Sequence, residues 1–398
     1  MRNAYATFLV FCLISNANAA FVRVDPAGTG DALTVQMAMG MAAAGDTIAV
    51  IQGAHNANSV EMTDGVQLLG GWNAAFSVRA PGTSLIHCGA QGLRCTSGQG
   101  LSTIIDGFEF TGASNSAILC TSSSPTITRN EFHGNTGADG AAVHCEFGAS
   151  PLIEDNHIHN NSASYGGGIR GHWGSDTSPT IRGNLIEFNS AGSGGGIGVN
   201  NGSPLIENNI VRNNFSGGTG GGIHVWHGEG GVVTIRDNLI VDNSSRDGGG
   251  IGINGGHPII EHNTLWGNSA SRWGGAISQA TSKFPDPGVS FIHHNILGGS
   301  PDGHGVYCIN DSSMTLSCNC LFGNAEGVYA NCPPPDNDIY QDPQFCDIAS
   351  ADFGLRSSSP CAAPGPTGCG LIGARPVACG PVSIEATSWS RIKAAYRQ

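Results

Sequence analysis

The chain has 398 residues, and its 30 Asp and Glu residues outnumber its 17 Lys and Arg residues, which gives a formal net charge of −13 at pH 7. This acidity argues against nucleic-acid binding, because a polyphosphate backbone attracts proteins that carry basic patches. The 61 glycines and the low charged content of 12% do not indicate disorder, since apolar residues recur in phase along the chain.

Residues 1–19 have the features of a secretory signal peptide. Arg2 precedes an apolar run from residue 8 to residue 14, and Ala17-Asn18-Ala19 resembles a cleavage site. The run is too short to span a bilayer, and no later segment is long or apolar enough to be a transmembrane segment. We therefore expect a protein that is secreted or held at the cell surface after Sec-type export.

Residues 20–84 are expected to form an N-terminal cap and the first coils. From Phe21 to Val50 the sequence predicts a strand, a Gly-rich turn, a short helix and a second strand. Thr34 can cap a helix that runs through Ala44 and ends at Gly45. Such a cap would cover the open end of the first coil, whose apolar interior and strand edges would otherwise be exposed.

Residues 85–310 contain a repeat of 26 or 28 residues. Its Gly-rich start recurs at Gly166, Gly194, Gly220, Gly248 and Gly274. Each period also holds an Ile-x-x-Asn element and a second element with an apolar residue three before Asn. The period is too short for a four-stranded propeller blade, which usually needs about 40 residues, and each period holds three apolar runs of only three to five residues. This pattern predicts an all-β, right-handed parallel β-helix solenoid with three short strands per coil, in which neighbouring coils lie about 4.8 Å apart.

Equivalent positions of successive coils form columns along such a solenoid. The position after the Ile of Ile-x-x-Asn reads Thr128, Glu154, Arg182, Glu207, Arg236, Glu261 and His293. Alternating Glu and Arg predicts ion pairs between neighbouring coils on a solvent-facing side. The Asn columns are predicted to be structural, because stacked amides can satisfy backbone groups at the bends.

Two tetrapeptides recur in variant forms, Gly274-Gly275-Ala276-Ile277 and Phe132-His133-Gly134-Asn135. They resemble the GGAI and FxxN repeats of chlamydial-type polymorphic outer membrane proteins. More broadly, residues 85–310 resemble right-handed parallel β-helix repeat proteins of the pectate lyase-like superfamily. The resemblance implies the fold but no single activity, since the superfamily includes lyases, hydrolases, adhesins and passive surface proteins.

Residues 311–380 are predicted to form a Cys-rich C-terminal cap, and they resemble the closing segment of secreted bacterial β-helix proteins. Without Cys12 of the signal peptide, 12 cysteines remain, an even number that favours disulfides without fixing their connectivity. Cys95, Cys120 and Cys145 fall 25 residues apart in one column, within disulfide range. Cys318-Asn319-Cys320 lacks the spacing of a zinc site, and neither a metal nor a cofactor is predicted.

Residues 381–398 form a basic tail in an acidic protein. Trp389, Ile392 and Tyr396 share one helical face, with basic residues around them. The tail is either a docking or sorting signal or a frayed terminus.

Superfamily lyases and hydrolases act on the face of the first strand of each coil. In this chain that column reads Arg94, Leu119, His144, Arg170, Gly198, His224, Gly252, Ser278 and Tyr307. Ring platforms and polar groups in a shallow groove are typical of glycan sites. The predicted ligand-binding residues are His144, Arg170, His172, Trp173, Trp226 and His227. Gly198 and Gly252 are expected to leave notches, and the ligand is expected to be a polysaccharide or cell-surface glycan. The alternative is solvated loops with Trp packed flat on the coil.

Catalysis requires more than a binding strip. Glycoside hydrolysis needs two facing carboxyl groups, and β-elimination from uronates needs a cation or Arg cluster and a base. The chain lacks the Asn-Thr-Asp and Asp-Asp motifs of polygalacturonases. The remaining catalytic candidates are Glu229, His224 and Arg170. The sequence thus favours a secreted non-catalytic binding protein over two alternatives, a polysaccharide lyase or glycoside hydrolase and a purely structural surface protein.

Overall fold

The computed structural model describes residues 19–379, apart from residues 173, 175, 227–230, 257, 281–288, 310–313, 333–334, 336 and 365–367. The predicted signal peptide, except Ala19, and the predicted basic tail lie outside the described residues. In the described part the chain winds into stacked coils whose strands form long parallel sheets. This architecture confirms the predicted all-β parallel β-helix.

Three sheets, named A, B and C, run the length of the solenoid. Sheet A contains Phe21–Val24, Thr47–Ile51, Gln67–Trp72, Ile104–Asp106, Thr126–Thr128, Leu152–Glu154, Thr180–Arg182, Leu205–Glu207, Thr234–Arg236, Ile259–Glu261, Ser290–His293 and Met314–Ser317. Sheet B contains Gly53–Ala57, Ser84–Cys88, Phe108–Thr111, Glu131–His133, His157–His159, Leu185–Glu187, Ile210–Arg212, Leu239–Val241, Thr264–Trp266, Ile296–Gly298 and Cys320–Phe322. Sheet C contains Val60–Glu61, Gln91–Cys95, Ser116–Thr121, Val143–Glu146, Ile169–His172, Ile197–Asn200, Ile223–Trp226, Ile251–Asn254, Ile277–Ala280, Val306–Cys308 and Tyr329–Ala330.

A fourth parallel sheet, D, lies between sheets B and C in the middle coils, so these coils hold four strands where the sequence predicts three. Its strands are Thr136–Asp139, Ser162–Tyr165, Ser190–Ser193, Phe215–Thr219, Ser244–Asp247 and Ser269–Trp273. Rich in Ser, Ala and Gly, they lack the apolar alternation that identifies a strand in sequence. These strands form nevertheless, because their backbones pair with those of the neighbouring coils.

The interior of the solenoid is a continuous apolar core. The Ile column of sheet A, from Ile127 through Ile181 to Ile292, is fully buried. Phe110 and Phe132 stack on neighbouring coils with ring centroids 5.0 Å apart. Burying each such side chain contributes about 1.5–3 kcal/mol relative to exposure, which offsets the entropy cost of ordering a Gly-rich chain.

Asn ladders hold the two bends that flank sheet B. Asn209 is fully buried, and its Oδ1 accepts hydrogen bonds from both the backbone N–H and the Nδ2 of Asn184, each at 3.0 Å. The Nδ2 of Asn209 donates to Asn238 Oδ1 at 3.0 Å and to the Ile181 carbonyl at 2.8 Å. The residue before it, Asn208, has φ +54, so the bend is a left-handed turn. These amides satisfy buried backbone groups, the structural role that the sequence indicates.

The alternating Glu and Arg column of sheet A forms the predicted ion pairs. Arg182 pairs with Glu154 at 2.7 Å, and Arg236 pairs with Glu207 at 2.6 Å. Both arginines are nearly half exposed, so each pair contributes about 0.2–1 kcal/mol.

The N-terminal helix spans Val35–Met39, and Thr34 Oγ1 accepts the Met37 N–H at 3.1 Å. It is shorter than predicted and ends at Gly40, because Asp46 accepts the Ala43 backbone N–H at 2.8 Å and draws the chain out of the helical path. Among the helices of the described residues, none is long and apolar enough to cross a bilayer.

The C-terminal region folds back onto the outer face of sheet B. A hairpin of Phe345–Asp347 and Asp352–Leu355, joined by the 3-10 turn Ile348–Ser350, packs on outward apolar residues such as Leu239 and Ile296. The disulfides are Cys308–Cys332, Cys318–Cys369 and Cys346–Cys379. They confirm that the cysteines of the C-terminal region form disulfides, while the role of this region as an end cap stays a prediction.

The cysteine column of sheet C does not form disulfides in this structure. Cys95, Cys120 and Cys145 are fully buried thiols stacked on neighbouring coils. Their side chains point into the core, where they pack as small apolar groups.

Candidate functional site

The outer face of sheet C presents two columns of side chains. The first reads His144, Arg170, Gly198, His224, Gly252 and Ser278. The second, two residues further along each strand, contains Glu146, His172, Asn200, Trp226, Asn254 and Ala280. Because side chains alternate along a strand, both columns face away from the core.

The first column is covered, although the sequence places it on the outside. Each strand of sheet D is followed by a glycine of positive φ, which forms the corner that leads into the next strand of sheet C. Gly166 has φ +60, and a Cβ there would lie 2.3 Å from the Ile169 carbonyl oxygen, so the Gly-rich start of the repeat is required by this corner. Arg170 and His224 are each only 1% exposed as a result.

The notches predicted at Gly198 and Gly252 are filled. A Cβ on Gly198 would lie 2.8 Å from Arg170 Nη1, so the guanidinium already occupies that space. A Cβ on Gly252 would lie 2.3 Å from the Thr219 methyl group of sheet D. The glycines therefore admit neighbouring side chains of the protein, and the prediction of open notches was wrong.

Arg170 is the centre of a polar cluster. Its Nε lies 3.5 Å from Asp139 Oδ1, and its guanidinium carbon lies 5.2 Å from the centre of the Tyr165 ring. Nε and Nη1 are buried and donate to no hydrogen-bond acceptor within the described part of the chain. Burial lowers the pKa of Arg170 to about 10, and Asp139 opposes that shift. The side chain remains a buried cation at neutral pH with unused donors.

The histidines around Arg170 are held in the neutral form. Burial, with the charge of Arg170, lowers the pKa of His172 to about 4 and that of His224 to about 3. Burial also lowers the pKa of His144, whose Nε2 lies 3.8 Å from Glu146 Oε2. Neutral imidazoles can accept a proton, which is the property that a general base needs.

Asp139, His144 and His172 bring one ligand atom each within 4.8 Å of one another. Two imidazole nitrogens and a carboxylate are a donor set that suits zinc. The Arg170 guanidinium beside Asp139 opposes a further positive charge there. The cluster is therefore better suited to an anionic or hydroxyl group than to a metal ion.

The second column is more exposed than the first. Trp226 lies between Asn200 and Asn254 of the two neighbouring coils in continuous register. All three side chains are half-buried, and the ring centroids of Trp226 and His224 lie 6.0 Å apart. The Asn200 Oδ1 is itself buried and without a hydrogen-bond partner among the described residues, so the exposed part of that amide is what a ligand could meet. An aromatic ring flanked by amides offers stacking and hydrogen bonding together.

The structure thus brings together a subset of the predicted site residues. His144, Arg170 and His172 form one cluster, and His224 with Trp226 lies further along the same face. Trp173, His227 and Glu229 lie outside the described residues. The sequence did not reveal Asp139 and Tyr165, because both belong to sheet D. His144 and Glu146, two residues apart on one strand, indicated two polar side chains on the same face of sheet C.

Comparisons with known proteins support the fold. Residues 64–233 match the family described as right handed beta helix region, and residues 291–364 match the family described as disaggregatase related. No protein with curated annotation matches the sequence.

Among solved structures, pectate lyase Pel9A is similar with a TM-score of 0.56 and 14% identity, covering 90% of this chain and 96% of that one. The PL6 family alginate lyase AlyGC, a point mutant, has a TM-score of 0.44 and 15% identity, covering 91% and 59%. The A-module of the Azotobacter vinelandii mannuronan C-5 epimerase AlgE6 has a TM-score of 0.39 and 12% identity, covering 78% and 96%. At these identities the first likeness bears on the fold alone. The chain therefore folds as a right-handed parallel β-helix.

Proposed function

We propose that the protein is exported and binds polysaccharide along the outer face of sheet C. The observation that carries this proposal is the row formed by Asn200, Trp226 and Asn254 in three successive coils. A sugar ring stacks on an indole through its C–H face while its hydroxyls exchange hydrogen bonds with amides. The parallel ladders hold the three side chains at coil spacing before a ligand arrives, so little ordering opposes binding.

The charge of the surface favours a neutral glycan. The whole chain carries a net charge of −13, and Glu146 adds a carboxylate to the same column as Trp226. Long-range repulsion of polyanions follows from that balance. The cation that could offset it, Arg170, lies beneath the Tyr165 ring.

Export is supported by the cysteine pattern as well as by the predicted signal peptide. Three disulfides join residues of the C-terminal region. Disulfides persist in oxidising compartments and are rare in a reducing cytosol.

A polysaccharide lyase that acts on uronates is the second candidate. β-Elimination needs a positive charge near the substrate carboxylate and a base for the α-proton. Arg170 and the neutral His172 and His224 supply both kinds of group. Binding stands first because Arg170 and His224 are covered, so that catalysis requires Tyr165 and its strand to move.

The test is incubation of the protein with a panel of neutral and acidic polysaccharides, followed by assay of both the bound fraction and soluble products. Retention on a neutral member without products supports the binding proposal. Products whose formation requires Arg170 would replace it with the lyase. If nothing is retained and nothing is cleaved, the proposal fails, and a purely structural surface protein is the better account.

A further inference from the structure

A second polar cluster lies on the outer face of sheet B, away from the proposed glycan-binding residues on sheet C. Glu131 pairs in register with His157 of the next coil, and His159 follows two residues later on the same strand. Because alternate residues of a strand share a face, both histidines point outward, and their ring centroids lie 4.1 Å apart. Glu131 Oε1 lies 3.1 Å from His159 Nε2 and 4.0 Å from His157 Nδ1.

The orientation of the His157 ring is fixed by a carboxylate on the side opposite to Glu131. Its Nε2 lies 2.9 Å from Glu187 Oε1, and the other oxygen of Glu187 accepts Arg212 Nε at 2.6 Å. When Nε2–H donates to Glu187, the lone pair of Nδ1 faces Glu131. A carboxylate behind the imidazole in this way fixes the tautomer and raises the basicity of metal-binding histidines.

His159 has a matching support. Its Nδ1 lies 2.8 Å from the side-chain amide of Asn160. Rotating that amide by half a turn places Oδ1 at the same point, where it accepts Nδ1–H and leaves the Nε2 lone pair toward Glu131. Both imidazoles can therefore present a lone pair to the same point.

The charge around this cluster differs in sign from that around Arg170. Glu109, Glu131 and Glu187 contribute three carboxylates, and Arg212 donates a hydrogen bond to Glu187. The side chains of Glu131, His157 and His159 are 15%, 16% and 17% exposed. An ion can reach them from solvent, yet the partial burial strengthens its attraction to the carboxylates.

We propose that Glu131, His157 and His159 bind one divalent transition-metal ion of the zinc class. Their ligand atoms lie within 4.8 Å of one another. A tetrahedral site with bonds of about 2.0–2.1 Å needs separations of about 3.3 Å, which side-chain rotations can provide. Two imidazoles and one carboxylate suit zinc, whereas calcium takes oxygen ligands. The fourth position stays open to water or a ligand, and the ion joins two neighbouring coils.

The proposal is tested by stripping the tag-free chain with a chelator and titrating it with zinc chloride by calorimetry. We expect one ion per chain at this site. The double variant His157→Ala/His159→Ala abolishes the binding, and Glu187→Gln weakens it by about 10- to 100-fold by removing the support behind His157. His262 and His294 form another stacked pair, with ring centroids 4.9 Å apart. The matched control His262→Ala/His294→Ala should therefore bind zinc at this site with the wild-type affinity.

Cobalt(II) supplies a readout independent of heat, because its visible spectrum reports nitrogen and oxygen ligation directly. The spectrum is expected in the wild type and in the control variant but not in the double variant. Circular dichroism checks that each variant is folded. If the double variant does not fold, the proposal depends on Glu187→Gln, and unchanged zinc affinity in that variant contradicts it. The proposal is also wrong if the wild type binds no zinc or if the double variant binds it unchanged.

Discussion

The guanidinium carbon of Arg170 lies 5.2 Å from the centre of the Tyr165 ring, across the corner between sheets C and D. Tyr165 is 40% exposed and Arg170 only 1%, so the ring separates the buried cation from solvent. The two proposed functions of sheet C differ in this contact, because an uncovered Arg170 would attract carboxylates to the outer face of the sheet.

Tyr165→Ala should uncover Arg170. We expect the guanidinium to react faster with phenylglyoxal, as followed by peptide mass spectrometry, and the free energy of unfolding to fall by about 1 kcal/mol through loss of the cation–π contact. Ser193→Ala is the control, because Ser193 pairs with Tyr165 in the next coil of sheet D. Equal labelling of Arg170 in both variants would show that the ring does not cover it.

Acid should destabilise the protein through its buried histidines. Burial and the charge of Arg170 lower the pKa of His224 to about 3, below its ordinary value of 6.5. The unfolded chain therefore binds a proton that the folded chain does not, and the stability that His224 contributes is complete above pH 6.5 and lost as the pH falls towards about 3.

The variant His224→Leu isolates this contribution. Between pH 6.5 and about pH 4, it should remove about 1.4 kcal/mol per pH unit from the slope of the unfolding free energy. Urea denaturation across that range measures the slope. Because neither ring nitrogen of His224 has a hydrogen-bond partner among the described residues, the variant should be folded at pH 7. Parallel slopes for wild type and variant would contradict a neutral, buried His224.

The Asn ladder should make a large contribution to stability. Asn209→Ala removes the acceptor of the Asn184 backbone N–H and the donor to the Ile181 carbonyl, leaving buried groups unpaired. We expect urea denaturation to show a loss of about 3 kcal/mol or more. The exposed Asn213, which has φ +54, supplies the control: Asn213→Gly should change stability by no more than about 0.5 kcal/mol. Similar losses in both variants would refute the structural role of the ladder.

The disulfide Cys318–Cys369 joins residues 51 apart in sequence. Replacing both cysteines with Ala should lower the unfolding free energy by about 4 kcal/mol, because the unfolded chain gains conformational freedom. The shorter Cys308–Cys332 link, with a separation of 24, should cost about 0.7 kcal/mol less when removed in the same way. Urea denaturation with limited proteolysis of the C-terminal region measures both. A larger loss from the shorter link would contradict the loop-length account.

The sequence predicted the repeating columns of the solenoid but not sheet D, whose strands cover part of sheet C. The Ile columns, the Asn ladders and the pairs such as Arg182 with Glu154 follow from spacing alone, because stacking places equivalent residues together. Sheet D has no apolar period, so neither its strands nor the burial of Arg170 and His224 could be predicted from the sequence. Glycine spacing showed where a side chain is absent but not that Arg170 fills the space.

Part of the proposed metal site is evident in the sequence. His157-Ile158-His159 places two imidazoles on one face of a strand, and Glu131 falls 26 residues before His157, one coil earlier. The register between the two neighbouring strands of sheet B, which the structure supplies, makes the three residues neighbours. The tetrapeptide resemblance to polymorphic outer membrane proteins stays a prediction.

The central claim is that Trp226 forms the platform of a glycan-binding face. It is tested most directly by calorimetric titration of the wild type, Trp226→Ala and Phe291→Ala with the neutral polysaccharide retained most strongly. Phe291 is a 43% exposed aromatic residue on the outer face of sheet A. We predict that Trp226→Ala weakens binding by about tenfold or more, since losing an aromatic platform costs about 0.5–1.5 kcal/mol beyond its buried area, and that Phe291→Ala binds as the wild type does. Unchanged affinity in Trp226→Ala would contradict the account.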